Sequence, residues 1–286
     1  MRHGLRIRLA PVFLFLVLAT VGAYLLWRGL SFYALAVDAR VDHPDFQLLR
    51  PSGLLGNGLG YAGALLVFLN LLYLVRRRQI FTMGSMRLWL DLHTFTGLLA
   101  AELAAFHSAF QLRTPIARLT GLGLGIVVVT GIIGRSIHAL VGRASTRRVL
   151  PIADELEEQA PGLGAVVLTA AEACAPTILP ANASHLRCLL TLPRWRREAR
   201  DRREAVLLLT RVSPLYAEAV RRVGPAIDVL VARAAAAAAA EVRSISRSAL
   251  LRSWRSLHRL FAILVLLAVA VHAGVAWHFG YRWIFD

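Results

Sequence analysis

Apolar and polar residues are distributed along this chain in long blocks. Three blocks carry no charge at all: 19 residues between Arg8 and Arg28, 25 between Arg50 and Arg76, and 22 between Arg259 and Arg282. A membrane-crossing helix needs about 20 mostly apolar residues, so each is long enough to span. Two further blocks are less clean. One runs from Leu88 to Leu112 and contains Asp91, His93, Glu102 and His107; the other runs from Pro115 to Val141, with 16 uncharged residues between Arg118 and Arg135. The pattern predicts an all-α integral membrane bundle of five transmembrane helices. Residues 1–33 form the first, 34–142 the second to fourth, and 251–286 the fifth. Residues 143–250 break the pattern with an acidic run at Asp154-Glu155-Leu156-Glu157-Glu158, a basic run at Arg194-Trp195-Arg196-Arg197 and seven alanines from Ala234 to Ala240. Prolines punctuate this stretch, which reads as a small, mostly helical insert on the cytoplasmic side.

Composition sharpens the class. Hydrophobic residues make up 57% of 286, above the roughly 45–50% of a soluble domain. The formal charge is +16, from 33 basic and 17 acidic side chains, and every basic residue is Arg. Such a balance first suggests nucleic acid, but here the arginines flank the spans. Arg2, Arg6 and Arg8 precede the first span, and Arg76, Arg77, Arg78 and Arg87 fill the loop after the second. In the intervening loop Arg28, Arg40 and Arg50 are offset by Asp38, Asp42 and Asp45. The positive-inside rule then predicts a cytoplasmic N-terminus and a periplasmic C-terminus in a bacterial inner membrane, with no nucleic-acid partner. Trp27, Trp89, Trp277 and Trp283 fall near span ends, as interfacial aromatics do. The first span reads as an uncleaved signal anchor. Ala34-Leu35-Ala36 offers a cleavage site as the alternative, although the apolar stretch exceeds the roughly 7–15 residues of a signal peptide. The basic run reads as a solvated face, with anionic lipid or a protein partner as the alternative. Gly121-Leu122-Gly123-Leu124-Gly125 follows no strand and reads as helix packing rather than a phosphate loop. Cys174 and Cys188 form no CxxC, which leaves covalent c-type haem attachment, an iron–sulfur cluster and a zinc ribbon all unsupported.

Four histidines carry the candidate chemistry. His93 and His107 on the third span are 14 residues apart, as are His258 and His272 on the fifth. At 100° per residue, 14 residues fall about 40° short of four turns, so each pair shares a face with roughly 21 Å between its members. The third and fifth spans run in the same direction. His93 and His258 therefore share the cytoplasmic half, and His107 and His272 the outer half. One imidazole from each helix at two depths is what two stacked bis-histidine haems require. On the third span Gly97, Ala100 and Ala104 lie between the histidines and would leave room for a flat macrocycle; on the fifth, Ala262, Val265 and Val269 are bulkier. Arg135, Arg255 and Arg259 are candidates to neutralise haem propionates on the cytoplasmic side, and Arg113 and Arg118 outside. Arginines that only obey the positive-inside rule are the competing account. Glu102 is expected off the haem face, serving a quinone, a proton path or a neighbouring helix. Asp91 reads as solvated near the interface. His138 and His278 read as interfacial, and His3, His43 and His185 carry no signal.

The doubled His-x13-His on alternate helices resembles the transmembrane domain of the ferric reductases and NADPH oxidases, and is similar to the haem-bearing half of quinol-oxidising cytochrome b. Trp254-Arg255-Ser256-Leu257-His258-Arg259, continued by Val271-His272 and Gly280-Tyr281-Arg282-Trp283, resembles bacterial membrane-bound b-type cytochromes. The resemblance implies two haem b groups in a four-helix core, with His93, His107, His258 and His272 as axial ligands. FAD and nicotinamide domains of the oxidases have no counterpart in these 286 residues. The expected function is transmembrane electron transfer between a donor on one face and an acceptor on the other. The chain is expected to act as an oxidoreductase subunit that needs a partner: a flavoprotein, an iron–sulfur protein, a multihaem cytochrome or a quinone. Membrane lipid surrounds it, and a homodimer is compatible. A quinol-reactive subunit of a larger complex is the first alternative. A transporter or scaffold with metal-binding or structural histidines is the second.

Overall fold

The structure is a computed structural model and describes residues 9–79, 83–141 and 148–280, with the backbone alone for 138–141. Arg2, His3, Arg6, Arg8, the closing Tyr281-Arg282-Trp283 and the His138 side chain lie outside the described residues. All regular structure among the described residues is helical. Four stretches are long and apolar enough to cross a membrane: Leu9–Tyr33, Phe46–Arg77, Pro115–Ile137 and Ala226–His278. The remaining expected span is a 22-residue helix, Met86–His107, whose polar Asp91, His93, Thr94, Thr96, Glu102 and His107 make it less apolar than those four.

The chain divides into two compact units, one of residues 1–132 with 258–286 and one of Ile133–Leu257. Both borders fall inside helices, so the second unit is wider than the expected insert of 143–250. The first unit contains α1 (Leu9–Tyr33), a 3₁₀ turn (Asp38–Asp42), α2 (Phe46–Leu49), α3 (Leu54–Leu69), α4 (Leu72–Arg77) and α5 (Met86–His107). It also holds the first part of α6 (Pro115–Val141) and the last part of α11 (Ala226–His278).

Local chemistry sets these elements. Ser85 starts α5 by accepting the Leu88 N–H at 3.2 Å, and Thr114 starts α6 by accepting the Ala117 N–H at 3.2 Å ahead of Pro115. The second uncharged block is not one helix. At Asn70 the backbone switches to i−3 bonds, with Leu71 N–H donating to Phe68 O and Tyr73 N–H to Asn70 O, and the helix restarts as α4. α5 ends in two left-handed non-glycine residues, Ala109 (φ 48°) and Phe110 (φ 60°), with Phe110 N–H donating back to Ala105 O. Arg40 closes this end. Its guanidinium donates to Ala109 O and Tyr33 O at 2.9 Å each and to Leu35 O at 3.1 Å. One buried cation thus satisfies the carbonyl ends of both α1 and α5, which therefore run parallel. α3 runs against α5, with its start beside His107 and Asn70 beside His93. α6 runs against α11, pairing Thr120 with Ala268 and Thr130 with His258. Gly63 lets α3 approach closely: a Cβ there would lie 3.4 Å from Ala100 O.

The second unit contains the rest of α6, α7 (Leu150–Gln159), α8 (Leu163–Ala173), α9 (His185–Val212), α10 (Pro214–Val223) and the first part of α11. The alanine run forms a packing stripe, with Ala234, Ala235, Ala238 and Ala239 all buried. Leu156, Leu163, Val167, Val206 and Ile227 close around the first three; Trp195, Cys188 and Val242 pack with Ala239. Glu241 is buried in this core. It takes a 3.0 Å ion pair from Arg202 and accepts the backbone N–H groups of Arg148 and Val149, just before α7. Both cysteines are free thiols.

Candidate functional site

α5 and α11 carry the four histidines, and the structure brings them together across the two helices. The His107 and His272 rings lie 6.2 Å apart between centroids, at 83° to one another. His93 and His258 are close enough to interact electrostatically, as are His107 and His272. Tyr73 of α4 stacks on His93 at 4.8 Å. Between the two levels lies an apolar layer of Leu124, Val265 and Val269, packed by Ala101, Ala104 and Val127.

What holds the imidazoles comes from other helices. His107 Nδ1 lies 2.8 Å from Gly56 O of α3, a group that only accepts, so Nδ1 carries the proton and Nε2 keeps its lone pair. Gly60, one turn on, has to be glycine: a Cβ there would lie 2.7 Å from His107 Nδ1. His258 Nδ1 lies 2.9 Å from Thr130 Oγ1 of α6, whose hydroxyl donates to Val127 O at 3.0 Å. Thr130 therefore accepts from His258 Nδ1–H, which again frees Nε2. The Asn70 amide lies 3.0 Å from His93 Nδ1 and 2.6 Å from Thr96 Oγ1. The orientation that satisfies its partners turns the amide nitrogen to the ring, donating to His93 Nδ1 and Thr96 Oγ1 while the oxygen accepts from Gly97 N–H; His93 Nδ1 then accepts, and in the neutral ring Nε2 carries the proton. His272 differs, since its Nδ1 is buried without a partner. Gly56, Gly60, Asn70 and Thr130 stand at no spacing that links them to the histidines, and Asn70 shares its block with a second asparagine, Asn57.

The other expected residues fall into place unevenly. Gly97 faces Asn70, and Ala100 is fully buried on the side where α3 approaches, so these two serve helix packing. Ala104 contributes to the layer between the histidine levels. Arg259 follows His258 directly, Arg255 precedes it by three residues on α11, and Arg135 lies on α6; each is engaged in interactions of its own. Arg113 and Arg118 bond locally to Gln111 Oε1 and Leu112 O. Asp91 is buried, which removes the solvated alternative for it. Glu102 packs against Gly22 of α1, where a Cβ would collide with Oε1, and its Oε2 is buried without a partner. His278 is exposed beside Phe279. His43 bonds Ser31, and His185 bonds Ser253, with burial lowering its imidazole from the usual value.

Among the described residues no group of three or more His, Cys, Asp or Glu side chains could hold a metal ion. Two facing imidazoles, as His107 and His272 are, can supply the axial positions of a metal that brings its own in-plane ligands. Comparison of the chain with protein families, with curated proteins and with solved structures finds no match.

Proposed function

We propose that the chain is a two-haem b-type cytochrome that carries electrons across a bacterial inner membrane, crossing it five times with its N-terminus in the cytoplasm. The observation that carries this reading is the facing of His107 and His272, 6.2 Å apart between ring centroids, with His93 and His258 each 14 residues away on the same two helices. The donor set fits the group. Imidazole–metal bonds of about 2.0–2.1 Å would place two axial rings roughly 6 Å apart between centroids, and the outer pair stands at 6.2 Å. The lone pairs left on Nε2 of His107 and His258 are those ligation needs. When bound, haem supplies the one-electron couple of its iron. The chain's part is to hold the rings: Gly56 and Thr130 fix two tautomers and ring orientations, and Asn70 governs a third. The apolar layer of Leu124, Val265 and Val269 keeps water from between the levels. Alternation of helix direction supports counting α5 as a span, its polar residues turned to the bundle interior. Arg259, in the same unit as the histidines, is proposed to meet a haem propionate, and the basic loops to face the cytoplasm.

Glu102 favours one second reading, a quinol- or quinone-reactive subunit, because an intramembrane carboxyl oxygen without a partner is a natural acceptor for a quinol hydroxyl. Under either reading the partner is a redox protein or quinone.

The test is haem content with single substitutions. Purified protein should hold two acid-extractable haems per chain. His93→Ala and His258→Ala should remove the same haem, and His107→Ala and His272→Ala the other, while His138→Ala and His278→Ala keep both. A cofactor-replete preparation without haem would leave the transporter or scaffold reading standing. A crossed result, with His93 behaving like His272, would overturn the parallel pairing.

A further inference from the structure

Two of the imidazoles donate Nδ1–H to a group from another helix, His107 to Gly56 O and His258 to Thr130 Oγ1, while His93 Nδ1 accepts from the Asn70 amide. His272 has no such contact among the described residues, where its Nδ1 is buried without a partner. Such outer contacts orient a ligating imidazole and raise its basicity, and losing one typically weakens the metal bond about 10–100-fold. The two members of the outer pair are therefore unequal. His107 is clamped between the Gly56 carbonyl and the Gly60 backbone, whereas His272 is held only through its place on α11. The nearby layer of Leu124, Val265 and Val269 offers a charged or strongly hydrogen-bonding ligand nothing to bind.

We infer that His272 is the exchangeable ligand of the four, and that the outer site admits a small neutral diatomic of the carbon monoxide or nitric oxide class in its place. The inference rests on the haem reading above. In the exchange the bond from His272 to the iron breaks, the imidazole keeps its lone pair, and a bond from the diatomic's carbon or nitrogen to the iron forms. For carbon monoxide no electron is transferred; added dithionite first brings the iron to the ferrous state.

The experiment is a carbon monoxide titration of the dithionite-reduced, full-length protein, read as a difference spectrum. One carbon monoxide should bind for every two haems. The double variant His93→Ala/His258→Ala, which keeps only the outer pair, should still bind it. Nitric oxide should give a ferrous nitrosyl resonance from the same single site. Two haems with no carbon monoxide bound, equal binding at both, or binding that survives in His107→Ala/His272→Ala would each overturn the inference while leaving the haem reading intact. A protein without haem would sink the haem reading and this inference with it.

Discussion

Thr130 and Gly60 show how much of the site hangs on single atoms. Thr130→Val keeps the shape of the side chain and deletes the oxygen that accepts from His258 Nδ1–H. Under the proposed function the expected outcome is about 10–100-fold weaker haem retention at the His93–His258 level, measured as transfer of haem to an apoprotein acceptor. Gly60→Ala places a methyl 2.7 Å from His107 Nδ1 and, under the proposed function, should disturb the haem held by His107 alone, read as a change in one of the two α-bands. These two residues also mark where sequence reading stops. The repeated spacing of 14 is visible because both members of each pair share one helix, and helical periodicity converts spacing into direction. Thr130 is one of several hydroxyls in an apolar block, and Gly60 one of several glycines. What singles them out is a neighbour 128 or 47 residues away in sequence, which no local pattern encodes. Arg202 is a third case, one arginine in a basic run that turns inward to Glu241. Arg202→Met would strand a buried carboxylate and should cost about 3–5 kcal/mol, seen as a lower thermal midpoint. Adding Glu241→Leu should recover only part, because the Arg148 and Val149 N–H groups then lose their acceptor.

Among the elements, α5 is the one whose ends are most firmly specified. Arg40→Ala removes three hydrogen bonds that join the carbonyl ends of α1 and α5, and leaves the left-handed pair Ala109-Phe110 unsupported two residues after His107. Faster hydrogen exchange at the α5 terminus is expected and, under the proposed function, a broadened spectrum of the haem held by His107 with the other haem unchanged. In α9 the telling group is Glu198, which binds the side chain and backbone N–H of Thr177 together with Arg194. Burial pushes this carboxyl up, but the bonds from Thr177 and Arg194 outweigh it and hold it below its ordinary value. A depressed carboxyl contributes stability that is present in full above its ordinary value and lost as pH falls through the folded one. Glu198→Gln should therefore be less stable than the native chain at neutral pH and should approach it as the medium is acidified below about pH 4, measured as thermal midpoint against pH. The presence of each long helix was legible from apolar length. The break at Asn70 was not, since 25 uncharged residues read as one span, and Gly97 and Ala100 read as a haem wall when α3 occupies that side.

At the level of the molecule, two cores share one chain. Composition made the membrane class legible, and the charge blocks located the insert approximately. Its borders at Ile133 and Leu257 lie within helices, where hydropathy changes before the backbone does. Each unit has its own buried cluster, so Arg202→Met should lower a calorimetric transition that leaves haem absorbance untouched. The order of the units along the chain has a consequence in time. The first unit is split around the second: α5 leaves the ribosome early, and the 125 residues from Ile133 to Leu257 must follow before His258 is made. At about 5–20 residues per second that is a delay of roughly 6–25 s. Throughout it His93 and His107 sit in a half-built site, so under the proposed function the cell cannot close either haem pocket until the whole insert has been translated.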